Sequence, residues 1–200
     1  IAVRKNCVFI SKQVVCNENQ KFEFLSIFKW EYRKGWDVML DAFWKAFSMD
    51  DHVRLRIRSY LQSGVDVSSS SVEYVDMSTD RVDHTQEAEE DSDGGIDMEV
   101  NAAQPVETHL TRQDMRDLLA SANAFVLSTR GEGWGLPIAE AMAMSLPVIV
   151  TNYSGPTAFT NTENAYLIPV QPELDEYSFA KPNMEVLATL YRQVVLESSE

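Results

Sequence analysis

Apolar runs and polar breaks alternate along the chain, and their period changes from run to run. Residues 22–28 are apolar and β-prone and read as a strand, and 29–35 follow as a loop. Trp36, Met39, Leu40, Phe43 and Phe47 recur near helical spacing, which predicts a helix over 36–47. Residues 53–57 alternate with a period of two, so a second strand with one wet face is expected there. Order is next expected near Thr111, three residues ahead of Asp114, as a helix cap with an acidic group in the first turn. A helix to about 122, a strand over 123–128, a helix over 136–144 and a strand over 146–150 follow. A turn at 154–156, a short strand over 166–169 and an amphipathic helix over 183–196 complete the pattern. Strands alternating with helices predict an α/β fold with a parallel sheet, in which ligands bind beyond the C-terminal ends of the strands.

Between these halves the pattern breaks. Residues 63–105 are rich in Ser, Asp and Glu, and the middle of the segment has too few apolar side chains to offset the entropy of ordering it. It reads as a disordered acidic insertion, with short strands at 71–75 and 96–100 as weak exceptions. The net charge of −14 changes meaning in this light: twelve acidic residues and one basic lie between Asp66 and Glu99, so the insertion carries −11 of that net charge. The remainder shows no basic face of the kind that binds nucleic acid. No run approaches the roughly 20 apolar residues of a membrane span. Cys7 and Cys16 can pair but nothing requires it, and two thiols fit a reducing, cytoplasmic setting as the default, with membrane association left open. His52, His84 and His109 lack metal-ligand spacing. Residues 1–21 read as an N-terminal extension or linker, and 22–200 as one domain.

The chemistry concentrates in residues 130–141, Arg-Gly-Glu-Gly-Trp-Gly-Leu-Pro-Ile-Ala-Glu-Ala. A buried strand runs into a glycine turn and then a helix with proline in its first turn, where a missing N–H costs little. Such a turn aims unpaired N–H groups and the positive end of a helix dipole at one point, which suits an anion. It serves packing equally well when taken alone. The spacing is neither that of a dinucleotide-binding loop nor that of a Walker loop. Glu132 and Glu140 flank the turn, and a charge at Glu140 within so apolar a helix is expected at a crevice or beside a partner. Residues 153–155 lack the G-x-S-x-G nucleophile elbow. Two carboxylates on one turn–helix unit suit ligand binding better than hydrolytic attack from opposite faces of a sugar.

Residues 132–140 resemble the E-x-seven-E motif of retaining nucleotide-sugar glycosyltransferases of the two-Rossmann-domain (GT-B) type, glycosyltransferase family 4 above all. Residues 115–152 resemble that family's donor-binding half, and 24–37 its first strand and phosphate loop. The resemblance implies a single Rossmann-like GT-B half-domain, a parallel sheet with helices on both faces. It also implies transfer of a glycosyl group, with retention, from a nucleotide-diphosphate sugar to an acceptor (glycan, lipid or protein) that the sequence does not identify.

Site roles follow from the same resemblance. Lys34 matches the lysine that contacts the donor diphosphate, and Lys29 stands where the family usually has arginine, keeping the cation and losing a bidentate contact. Phe28 stands in place of the preceding glycine. Glu132 matches the carboxylate near the transferred sugar, and Glu140 the one that holds ribose hydroxyls. The amides of Gly133, Trp134, Gly135 and Leu136 would face sugar and phosphates. No metal and no cofactor beyond the donor are implied. Residues 1–21 hold no counterpart of the family's N-terminal domain. A non-catalytic nucleotide-sugar-binding module, a protein-interaction module working through the acidic loop, and an inactive truncated product therefore stand as alternatives for this chain.

Overall fold

The computed structural model describes residues 7–10, 13–16, 21–48, 51–60, 72–76 and 111–198. Two short strands come first, β1 (Cys7–Ile10) and β2 (Gln13–Cys16), paired antiparallel with Cys7 opposite Cys16. The residues between them, Ser11 and Lys12, carry none of the Asn-Gly or Asp-Gly chemistry that marks a tight hairpin, so the sequence does not foretell this pair.

The main sheet contains β3 (Phe22–Lys29), β4 (Val53–Tyr60), β5 (Val72–Asp76), β6 (Ala124–Leu127), β7 (Val148–Thr151) and β8 (Tyr166–Ile168). Their order is β5-β4-β3-β6-β7-β8, parallel except for β5 at one edge. The helices are α1 (Trp36–Ala46), α2 (Arg112–Ser121), α3 (Leu136–Ala143) and α4 (Met184–Glu197). This is the expected α/β, Rossmann-like parallel sheet with helices on both faces. The expectation of a strand at 96–100, and nearly all of the acidic 63–105 segment, lie outside the described residues.

Burial explains the strand compositions. The central strands β3, β6 and β7 are covered on both faces, so they read as nearly continuous apolar runs. On one face Phe24 meets Phe43 and Phe47 around α1 and Tyr191 of α4, the last at 4.8 Å between ring centroids. Helix α4 presents Leu187, Ala188, Tyr191 and Val194 to the core at helical spacing, and Asn183 caps it by accepting from the Val186 N–H at 3.1 Å. Helix α2 starts with a reciprocal cap: Asp114 N–H donates to Thr111 Oγ1 at 3.2 Å, and Thr111 N–H donates to Asp114 Oδ2 at 2.8 Å.

The arginine face of β4 departs from expectation. Arg56 and Arg58 are buried, Arg58 at 4% exposure, not turned to water. Arg56 donates to Ser121 of α2, and the buried Glu23 of β3 pairs with both Arg54 and Arg56. A charge taken from water needs a partner, and Glu23 supplies it for Arg56. Period-two alternation identifies a polar face without saying whether a helix covers it.

Chain order reverses direction at the centre of the sheet. From β3 the chain crosses to β4 on one side, whereas from β6 it proceeds to β7 on the other. The C-terminal ends of β3 and β6 therefore border a topological switch point, where open α/β sheets place their ligands.

Candidate functional site

Two loops meet at that switch point. The first follows β3, contains a single 3-10 turn at Tyr32–Lys34, and ends at Gly35 with φ of 65°. Trp30 stacks on Trp36 at 4.9 Å and Phe28 on Trp30 at 5.7 Å, which braces the loop against the start of α1. The second is the glycine turn between β6 and α3. The loops are bolted together through backbone carbonyls: Arg130 N–H donates to Arg33 O at 2.8 Å, and the Ser128 side chain donates through Oγ to Gly35 O at 2.7 Å. A Cβ on Gly35 would lie 2.0 Å from Ser128 O, so the approach itself demands glycine.

Across this seam Lys34 Nζ donates to Glu132 Oε2, with the two side chains only 12% and 14% exposed. Arg33 Nη1 stands 3.6 Å from Glu132 Oε1 and donates to Gly131 O at 2.6 Å. Arg33 Nη2 also meets Glu31 Oε2 at 3.1 Å, and Lys29 Nζ meets Glu31 Oε1 at 2.9 Å. The result is a chain of alternating charge, Lys29–Glu31–Arg33–Glu132–Lys34. The hydrogen bond from Lys29 holds the Glu31 carboxyl below its ordinary range; burial opposes it, and the charge of Lys29 and the contacts of Arg33 add to the lowering. A half-buried ion pair is a weak source of stability, because desolvation offsets most of its attraction.

The glycine turn is pinned from the far side too. Ser154 Oγ accepts from Glu132 N–H at 2.9 Å, and Gly155 N–H donates to Glu132 O at 3.0 Å. Gly133 N–H donates to Glu132 Oε1 at 3.3 Å. Gly135 caps α3 at φ of 91° without a side-chain acceptor. Among the described residues, nothing accepts from the N–H groups of Trp134, Gly135 and Leu136. These groups and the dipole of α3 are free to meet an anion. The Trp134 indole is 51% exposed and leans on Phe159 at 5.0 Å.

Arg130 locks the seam from below. Its guanidinium makes two hydrogen bonds to Asp37, at 2.7 and 2.6 Å, donates to Tyr32 O at 3.0 Å, and lies 3.9 Å over the Tyr32 ring. Asp175 joins from a third loop, accepting from Tyr32 OH at 2.9 Å and standing 3.6 Å from Arg130 Nε. Burial pulls the Arg130 pKa down, but Asp37, Tyr32 and Asp175 together outweigh it and keep the guanidinium charged. Burial and the Asp175 bond together push the Tyr32 phenol up.

Of the residues singled out by sequence, Lys29, Lys34, Glu132, Gly133, Trp134, Gly135 and Leu136 gather at this seam. Glu140 lies on α3 with its side chain exposed and without an ionic or hydrogen-bonding side-chain partner among the described residues. The apolar composition of α3 overstates its burial, since only Ile138 and Ala141 are fully covered. Sequence reasoning missed Arg33, Asp37, Arg130, Ser154 and Asp175. Ser154 had a readable signal, a turn directly after a parallel strand; the Arg130–Asp37 pair joins positions 93 residues apart and had none. Among the described residues no group of three or more His, Cys, Asp or Glu side chains is arranged to hold a metal ion. No described helix is long and apolar enough to cross a membrane.

Comparison with known proteins bears on this geometry. Residues 20–181 match the family model described as Glycosyl transferases group 1. Among solved structures, one described as "Crystal structure of GtfA/B complex" aligns with a TM-score of 0.51 at 16% identity, covering 88% of this chain and 29% of that chain. At that identity the likeness speaks to the fold alone, and this chain spans under a third of the solved one. No curated protein matches the chain.

Proposed function

The chain belongs to the Glycosyl transferases group 1 family, and from that premise we propose that it is the donor-binding half of a retaining, family 4-like glycosyltransferase using a nucleotide-diphosphate sugar. The observation that carries the reading is the meeting of Lys34 with Glu132 at the switch point, beside the N–H groups of Trp134, Gly135 and Leu136 that no described residue engages.

In this reading the donor diphosphate enters the seam and takes over the Lys34 ammonium. Glu132, released from Lys34, accepts hydrogen bonds from hydroxyls of the transferred sugar and fixes its orientation. As the bond from the anomeric carbon to the diphosphate lengthens, negative charge grows on the leaving phosphate. Lys34, Lys29 and the N–H groups at the start of α3 offset it where it develops, preorganised by the bolted loops. Glu140, exposed further along α3, holds the ribose hydroxyls. Neither glutamate serves as a nucleophile. The acceptor, a glycan, lipid or protein, approaches from a surface that another part of the enzyme completes.

Calorimetric titration of nucleoside diphosphates and their sugars into this chain, repeated with Lys34→Ala and Glu140→Ala, tests the reading. Binding that each substitution weakens supports it. A cooperatively folded chain that binds none of them refutes it.

A further inference from the structure

We infer that Arg33 is a further ligand of the donor diphosphate, acting as a pair with Lys34. The inference rests on the donor-site reading above and adds to it a guanidinium that the sequence comparison did not assign.

The Glu132 carboxylate is itself an anion lodged in the crevice, and its surroundings report what the crevice offers an anion. Lys34 holds Oε2, Arg33 Nη1 lies 3.6 Å from Oε1, and Gly133 N–H donates to Oε1 at 3.3 Å. Two cations and an N–H thus converge on two oxygens. A diphosphate presents the same kind of target with more charge and more oxygens, and a planar guanidinium fork matches it better than an ammonium does.

Arg33 is also placed to respond. Its backbone is anchored, because Arg33 O accepts from Arg130 N–H at 2.8 Å and from Thr129 Oγ1 at 3.0 Å. Its side chain is about a third exposed, so the guanidinium reaches solvent from a fixed root. Nη1 stays on the glycine turn through Gly131 O at 2.6 Å, whereas Nη2 is engaged by Glu31 at 3.1 Å. Glu31 is therefore an internal competitor. An incoming phosphate oxygen replaces its carboxylate on Nη2, and the exchange swaps one anion for another without leaving a cation bare. Neutralising Glu31, which also holds Lys29, should strengthen diphosphate binding, and the part of that gain that is lost when Arg33 is also replaced by alanine is the part that passes through Arg33.

The test uses the full chain, with inorganic pyrophosphate and the diphosphates of uridine, guanosine and adenosine as probes, read by calorimetry. Arg33→Ala is expected to weaken binding of pyrophosphate and of the preferred nucleoside diphosphate by roughly tenfold or more. Arg33→Lys is expected to recover only part of the loss, and Glu31→Gln to tighten binding several-fold. If wild type binds and Arg33→Ala binds within about twofold of it, the inference is overturned while the donor site stands. If folded wild type binds no probe, both fall. Should Arg33→Ala fail to fold, the other two variants decide: wild-type affinity in both, or weaker binding in Glu31→Gln, overturns the inference.

Discussion

Gly35 and Gly131 lie on the two loops of the seam, and a methyl group meets opposite fates at each. At Gly35 a Cβ falls on Ser128 O in a left-handed conformation; at Gly131 it finds nothing within 4 Å. Gly35→Ala is therefore expected to cost about 2–4 kcal/mol, combining left-handed strain with overpacking. Gly131→Ala should stay within about 0.5 kcal/mol of wild type. Urea midpoints measure both, and equal midpoints would contradict the close approach. Gly155 carries the same tension toward the site, since its Cβ would sit 2.1 Å from Gly133 O. Gly155→Ala should displace the glycine turn and weaken diphosphate binding, whereas Gly131→Ala leaves the turn in place.

Loops and caps set the next scale. Arg130 is 7% exposed and ties the first loop, the glycine turn and the Asp175 loop together. Arg130→Ala removes a buried cation and strands the carboxylates of Asp37 and Asp175, so a loss of about 3 kcal/mol is expected in urea unfolding. Lysine should rescue it poorly, because the two-point contact with Asp37 needs a planar fork. At the start of α2, the hydrogen bond from Thr111 Oγ1 holds the Asp114 carboxyl below the ordinary carboxylate range. A depressed folded pKa stabilises above the unfolded value and loses that contribution as pH falls through the folded one. Asp114→Asn should then melt lower than wild type at pH 7, and the gap should close as the pH drops below about 4. A gap that persists unchanged into acid would contradict this cap. The Thr111–Asp114 spacing was legible in the sequence because a cap is a local pattern. So were β3, α1, β6 and α3, whose periods depend on near neighbours. The Glu23–Arg56 pairing and the covered face of β4 were not, because they depend on where α2 lands across the sheet. The Arg130–Asp37 bolt escaped for the same reason.

At the scale of the whole molecule, strand order explains why two loops almost a hundred residues apart share one site. Both leave the C-terminal ends of adjacent parallel strands, β3 and β6, where the chain reverses its direction across the sheet. The order of the elements, and hence the shared crevice, was legible in the amino-acid pattern; the ionic chain through Glu31 and Arg33 was not, because it depends on how side chains meet across the two loops. The chain spans under a third of the solved protein it resembles in fold. The proposed diphosphate site lies at the start of α3, and backbone amide chemical shifts read its occupancy directly. In a titration with the nucleoside diphosphate that calorimetry selects, the amides of Gly133, Trp134, Gly135 and Leu136 should shift first and furthest, and Lys34→Ala should suppress the shifts. Saturable binding that leaves those four amides unmoved, with the perturbations elsewhere on the surface, would contradict the account.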